Sequence, residues 1–137
     1  MSSSNSLLHM SITEIAPMIQ AKKVSPVEIT QSAIIQAEKL SYLNTFITPM
    51  FDYAMDQAKK REKAIGNGEY FGPLDGIPIG IKDNIEVAGV RSTAGTKALN
   101  ENIASVDAHV VTKLKQAGAI ILGKENLHEL AAGGRSN

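Results

Sequence analysis

The chain has 137 residues, 43% of them apolar and 20% charged, with 14 Lys plus Arg against 14 Asp plus Glu and no cysteine. Such a length suits one domain that buries roughly two thirds of its unfolded surface. Zero net charge disfavours a nucleic-acid or acidic-lipid surface, no apolar run is long enough to cross a bilayer, and the lack of Cys removes disulfides, thiolate metal sites and cysteine nucleophiles.

Met1 to Met10 are Ser-rich and uncharged where a secretory signal needs basic residues, so the expected location is the cytoplasm. Ile12, Ile15, Met18 and Ile19 then recur at helical spacing, with Ser11 or Thr13 as cap and Glu14 in the first turn. Ser25-Pro26-Val27-Glu28 reads as an N-cap, a proline at the first helical position and an early acid. Behind it, Ile29, Ala33, Ile34, Ala37 and Leu40 supply the buried stripe of a second helix. A short extended stretch from Leu43 to Ile47 ends at Pro49. A third helix runs from about Asp52 to Ile65, packs through Ala54, Ala58 and Ala64, turns Lys59 to Lys63 to water and stops at Gly66-Asn67-Gly68.

From Gly72 the texture changes. Ile77, Ile79 and Ile81 alternate with Pro78, Gly80 and Lys82, which predicts a strand with one bulky face and one nearly bare. Ile85, Val87 and Val90 continue the apolar supply, and Ser92, Thr93, Gly95 and Thr96 read as a small polar loop. Asp107 begins a helix carrying Val110, Val111, Leu114 and Ala117, Gly118 closes it, and Ala119 to Leu122 follow as a buried strand. With no repeat or linker, the whole reads as one α/β unit that begins with a helical arm. Ala131 to Asn137 read as a loop.

Two motif matches fail on their chemistry. Gly118 to Lys124 has P-loop spacing, but Glu125 stands where a hydroxyl must hold Mg²⁺ and the intervening residues are core-forming. His128-Glu129 opens like a zincin helix, yet Ala132 occupies the second histidine's position. His9, His109 and His128 are scattered, so neither a metal nor another cofactor is expected.

Lys82 is the informative residue. A lysine at a strand end is ordinarily a solvated terminator. Here Pro78 and Gly80 leave it without bulky company on its own face, and Asp83 and Asn84 supply groups able to hold an amine in a polar site. Such a lysine suits proton transfer to and from a hydroxyl nucleophile, directly or through a second hydroxyl, once burial has disfavoured its ammonium form.

The run Gly72-Pro73-Leu74-Asp75-Gly76-Ile77-Pro78-Ile79-Gly80-Ile81-Lys82-Asp83-Asn84-Ile85 resembles the lysine-bearing strand of the amidase-signature family. Thr93 to Thr96, Asp107 to Val111 and Gly118 to Asn126 follow in the family's order, and the helical segment from Ser25 to Ile47 also fits. The resemblance implies an α/β/α fold with a mixed sheet, and cleavage or transfer of amide nitrogen by a Ser, cis-Ser and Lys triad. It places the catalytic lysine at Lys82, supported by Gly80, Asp83 and Asn84. It also implies that residues 1–137 are the N-terminal part of an amidase domain, incomplete at its C-terminal end. The paired-glycine, paired-serine stretch that would carry the cis-serine does not occur in the sequence, and Ser136 lies in the loop that precedes it.

The resemblance therefore implies a small-molecule amide as substrate of the complete enzyme and an isolated chain without activity. It further implies self-association or a partner chain over an incomplete sheet; the charge balance and the short apolar runs add the expectation of no membrane and no direct nucleic-acid contact. A second reading is the A subunit of a tRNA-dependent amidotransferase, which takes nitrogen from glutamine and works with partner subunits. A third is a non-catalytic α/β interaction module in which Lys82 is merely solvated.

Overall fold

The computed structural model describes residues 7–133. The expectations for the first six residues, and those for the loop from Gly134 on with Ser136, fall outside them. Helix α1 is Ile12–Gln20, where the Ser11 amide donates to Glu14 Oε2 at 2.7 Å and closes the first turn. Helix α2 is Pro26–Lys39, started by Pro26 and capped by Ser25 Oγ, which accepts from the Glu28 amide at 3.0 Å. Strand β1 is Phe46–Pro49 and helix α3 is Phe51–Gly66. Strand β2 is Pro78–Lys82, helix α4 is His109–Gln116 and strand β3 is Ile120–Glu125.

Three of these differ from expectation for physical reasons. The extended stretch begins later than Leu43, because Ser41–Leu43 form a single 3₁₀ turn that ends at Asn44 in the left-handed region. Helix α4 begins after Asp107, whose carboxylate is drawn back to the Ala88 amide at 2.7 Å and to Lys115 Nζ at 2.8 Å. Strand β3 runs three residues past Leu122, because Gly123 lets β1 approach closely and Lys124 finds a buried partner. A Cβ at Gly123 would lie 2.7 Å from the Thr48 carbonyl oxygen.

The sheet is mixed, in the order β1-β3-β2, with β1 antiparallel and β2 parallel to β3. Helices α2 and α3 cover one face, where Ile34, Ala54 and Ala58 pack on Ile120 and Leu122. On the opposite face Val111 of α4 packs with Val87, Ile81 and Ile121. The result is the expected α/β/α layering. A further cluster joins α1 to α2 and α3 through Ile15, Ile19, Ile29, Ile65 and Ile77. The alternating isoleucines thus serve two cores rather than one face: Ile77, just before β2, packs with α1 to α3, Ile81 packs with α4, and Ile79 touches both.

The strand register decides which side chains meet. An irregularity between Ile79 and Gly80 sets Gly80 opposite Gly123, Ile81 opposite Lys124 and Lys82 opposite Glu125. Residues paired across a sheet share a face and neighbours along a strand do not. Lys124 therefore sides with Ile81 and Asp83, and Glu125 sides with Gly80 and Lys82.

Candidate active site

Lys82 is the last residue of β2 and is exposed. Its carbonyl accepts from the Ile85 amide at 2.9 Å, so the chain turns directly after it, and Asn84 in that turn is exposed too. Gly80 contributes no side chain to the strand face it shares with Lys82, and that of Glu125 occupies the space: a Cβ at Gly80 would collide with its carboxylate.

Asp83 does hold a lysine amine, that of Lys124. Both side chains have 0% exposure, and Asp83 Oδ1 accepts from Lys124 Nζ at 2.9 Å. Asp83 Oδ2 accepts from the Thr93 amide at 2.9 Å and from the Thr93 hydroxyl at 2.5 Å. The Asp83 amide donates to the Glu125 carbonyl at 3.0 Å, and the Asp83 carbonyl accepts from the Ala94 amide and from Ser92 Oγ, each at 3.1 Å. Lys124 Nζ completes its set on Ser92 Oγ at 3.2 Å and on the Arg91 carbonyl at 3.3 Å. A buried charge is tolerated only when it is paired and its hydrogen-bonding positions are filled, which this network achieves.

The loop over this network is backbone-strained. Ala94 has φ 50° and Leu130 φ 53°, and the Leu130 amide donates to the Ala94 carbonyl at 2.7 Å. Left-handed non-glycine residues gather where surrounding structure forces them, often at functional sites. Lys124 is not among the sequence-based candidates, and Ser92 and Thr93 enter there only as loop residues. A partial signal is present: an apolar run, Ile120 to Leu122, leads through Gly123 to a lysine, and a lysine that continues a buried strand needs an acidic partner, which the sequence around it does not identify. The P-loop match dissolves for the same reason, since Ile120–Leu122 are core strand and the Lys124 amine faces Asp83.

Among the described residues no three His, Cys, Asp or Glu side chains gather into a metal site, and no helix is long and apolar enough to cross a membrane. The arrangement offers an exposed amine at a strand end, backed by a buried ion pair and flanked by a small hydroxyl-bearing loop.

A mixed sheet layered between helices, with a lysine ending one strand, defines an α/β/α protein. The family model described as Amidase matches residues 28–137, and the chain belongs to that family. The A subunit of the mitochondrial glutamyl-tRNA(Gln) amidotransferase from Xenopus laevis is 38% identical over 130 residues, covering 95% of this chain and 25% of the relative. The corresponding A subunit from Heliobacterium modesticaldum is 43% identical over 124 residues, 88% of this chain and 25% of its own. The native peptide amidase from Stenotrophomonas maltophilia superposes with a TM-score of 0.81 at 31% identity, over 88% of this chain and 25% of that one. The chain thus spans 25% of the length of these relatives.

Proposed function

We propose that residues 1–137 are the N-terminal part of an amidase domain, and that its Lys82 is the proton-transferring member of a Ser, cis-Ser and Lys triad that hydrolyses a small-molecule carboxylic amide. The observation that carries this reading is the placement of Lys82: an exposed residue at the end of β2, directly before the buried Asp83 that pairs with Lys124, in a chain of the amidase family.

The chemistry follows from what the amine has to do. A neutral lysine takes the proton of a serine hydroxyl, directly or through a second serine, and returns it to the departing amine. Neutrality at ordinary pH requires burial. Within residues 7–133 Lys82 is exposed, so the walls that bury it, like the two serines and the oxyanion-hole amides, belong to sequence beyond these residues. Each missing oxyanion donor costs about 3 to 4 kcal/mol of transition-state stabilisation, so the 137-residue chain by itself turns over no amide. The same incompleteness leaves β2 at an open edge of the sheet, to be covered by more of the same polypeptide, by a second copy or by a partner chain.

A second reading is favoured by the names of the curated relatives: the A subunit of a glutamyl-tRNA(Gln) amidotransferase. In that reading nitrogen comes from glutamine and tRNA is held by another subunit. One experiment separates these readings. The coding sequence after Asn137 is read, and the protein made from its complete frame is assayed on short amides and on glutamine. A paired-glycine, paired-serine stretch with turnover of short amides supports the amidase. Glutamine turnover that needs partner subunits supports the amidotransferase, and a stop codon with no turnover supports a non-catalytic module and refutes both.

A further inference from the structure

We infer that the buried Asp83–Lys124 ion pair is a positioning device for Lys82, acting through the backbone of β2 and never touching the substrate. The inference rests on the reading of Lys82 as the proton-transferring group.

Successive residues of a strand point to opposite faces, so fixing the side chain of one fixes the direction of the next. Asp83 directly follows Lys82, and every polar atom of Asp83 is engaged: both carboxylate oxygens, the amide and the carbonyl. Its inward anchor is Lys124 on β3, itself wholly buried and held in addition by Ser92 Oγ and the Arg91 carbonyl. With Asp83 drawn into the interior, Lys82 is turned outward to the end of the sheet.

The same pair places the neighbouring loop. Asp83 Oδ2 takes both the amide and the hydroxyl of Thr93, and the Asp83 carbonyl takes Ala94 and Ser92, so residues 92–94 are hung on the residue beside Lys82. Ala94 is held in the left-handed region and accepts from the Leu130 amide, which ties a second loop to the same point. Strand end and both loops therefore share one buried charge pair. A core that needed only to be filled would be served as well by two apolar side chains of this volume, since such replacements are often neutral or stabilising. An ion pair here supplies direction, which an apolar pair does not.

The test uses Asp83→Asn, Lys124→Met and the double variant, with Lys82→Met as control, in the protein expressed from its complete reading frame. Each single variant leaves one buried partner without its counterpart and lowers the denaturation midpoint. The double variant, with no stranded charge, recovers the midpoint most of the way. If the pair positions Lys82, the double variant nevertheless loses kcat by about 100-fold with KM little changed, the cost typical of a misplacement near 1 Å, and its pH–rate profile moves. Wild-type kcat and pH profile in the stable double variant would overturn the inference while leaving the amidase reading intact. Full activity in Lys82→Met would instead overturn the reading on which it rests. A readout independent of turnover is acylation of lysines by a water-soluble activated ester in the 137-residue chain, followed by peptide mass spectrometry. The ratio of Lys82 to Lys59 labelling changes in the double variant if Lys82 is positioned by the pair, and an unchanged ratio counts against it.

Discussion

Removing the two halves of the other buried ion pair, Arg61 and Asp75, should have unequal consequences. Asp75 lies in the turn before β2 with 0% exposure, and its carboxylate accepts from Arg61 Nε at 2.7 Å, Arg61 Nη2 at 2.8 Å and the Phe71 amide at 2.9 Å. Arg61, on α3, keeps 16% of its side chain exposed, donates also to the Glu69 carbonyl at 2.9 Å and lies 4.0 Å from the centre of the Phe71 ring. Arg61→Met strands a fully buried carboxylate with the Phe71 amide as its remaining donor, and breaking a buried pair in this way costs about 3 to 5 kcal/mol. Asp75→Asn keeps the shape and an acceptor for Phe71, and leaves a guanidinium that water, Glu69 and the Phe71 ring still accommodate. Losing the charge assistance costs about 1.5 to 3 kcal/mol. Because the two groups touch, the double variant should fall short of the sum by about 0.5 to 3 kcal/mol. The assay is chemical denaturation followed by far-UV circular dichroism, comparing midpoints at constant m. An Asp75→Asn loss equal to or greater than that of Arg61→Met, or strict additivity in the double variant, would refute this reasoning.

Gly118→Ala should destabilise by more than the about 1 to 2 kcal/mol of a left-handed non-glycine residue, because its φ is 81° and the added Cβ would meet Asp75 Cγ at 2.7 Å; the denaturation midpoint reports the loss. Ser25→Ala removes the side-chain cap of α2 and should cost about 1 kcal/mol, seen as a lower midpoint with the m value unchanged. Burial of Asp107 works to raise its pKa, but the hydrogen bonds from Lys115 and the Ala88 amide, with the Lys115 charge, outweigh it and hold the carboxyl below the ordinary aspartate value. A depressed folded pKa stabilises above the unfolded value and is lost as pH falls through the folded one. The stability gap between wild type and Asp107→Asn should therefore be constant at neutral pH and close on acidification below about pH 4; a gap that widens there would contradict the assignment.

The helical arm is legible in the sequence because its signals are local. Ser25, Pro26 and Glu28 specify a helix start by hydrogen bonding within four residues, and the apolar spacing of α1 and α3 needs no knowledge of partners. The lysine-bearing strand is legible in outline for the same reason, through the alternation from Ile77 to Lys82. The hidden features are set across strands. The register irregularity at Ile79 and Gly80 decides which residues share a face, and no feature of β2 alone encodes it. Nothing near Lys124 names its partner, because Asp83 lies 41 residues earlier in the chain. Gly80 does make room beside Lys82, and the room is taken by Glu125, a neighbour that only the sheet order supplies. The alternation from Ile77 to Lys82 also does not say how far Lys82 is covered, and residues 7–133 leave it exposed.

The role of Lys82 is tested most directly by the initial rate of short-amide hydrolysis in the protein expressed from its complete reading frame, wild type against Lys82→Ala, with matching far-UV circular dichroism spectra. With Lys82 as the proton-transferring group, the wild type hydrolyses amide and the variant loses about 10² to 10⁴-fold in kcat. Equal turnover by the two proteins would contradict that role.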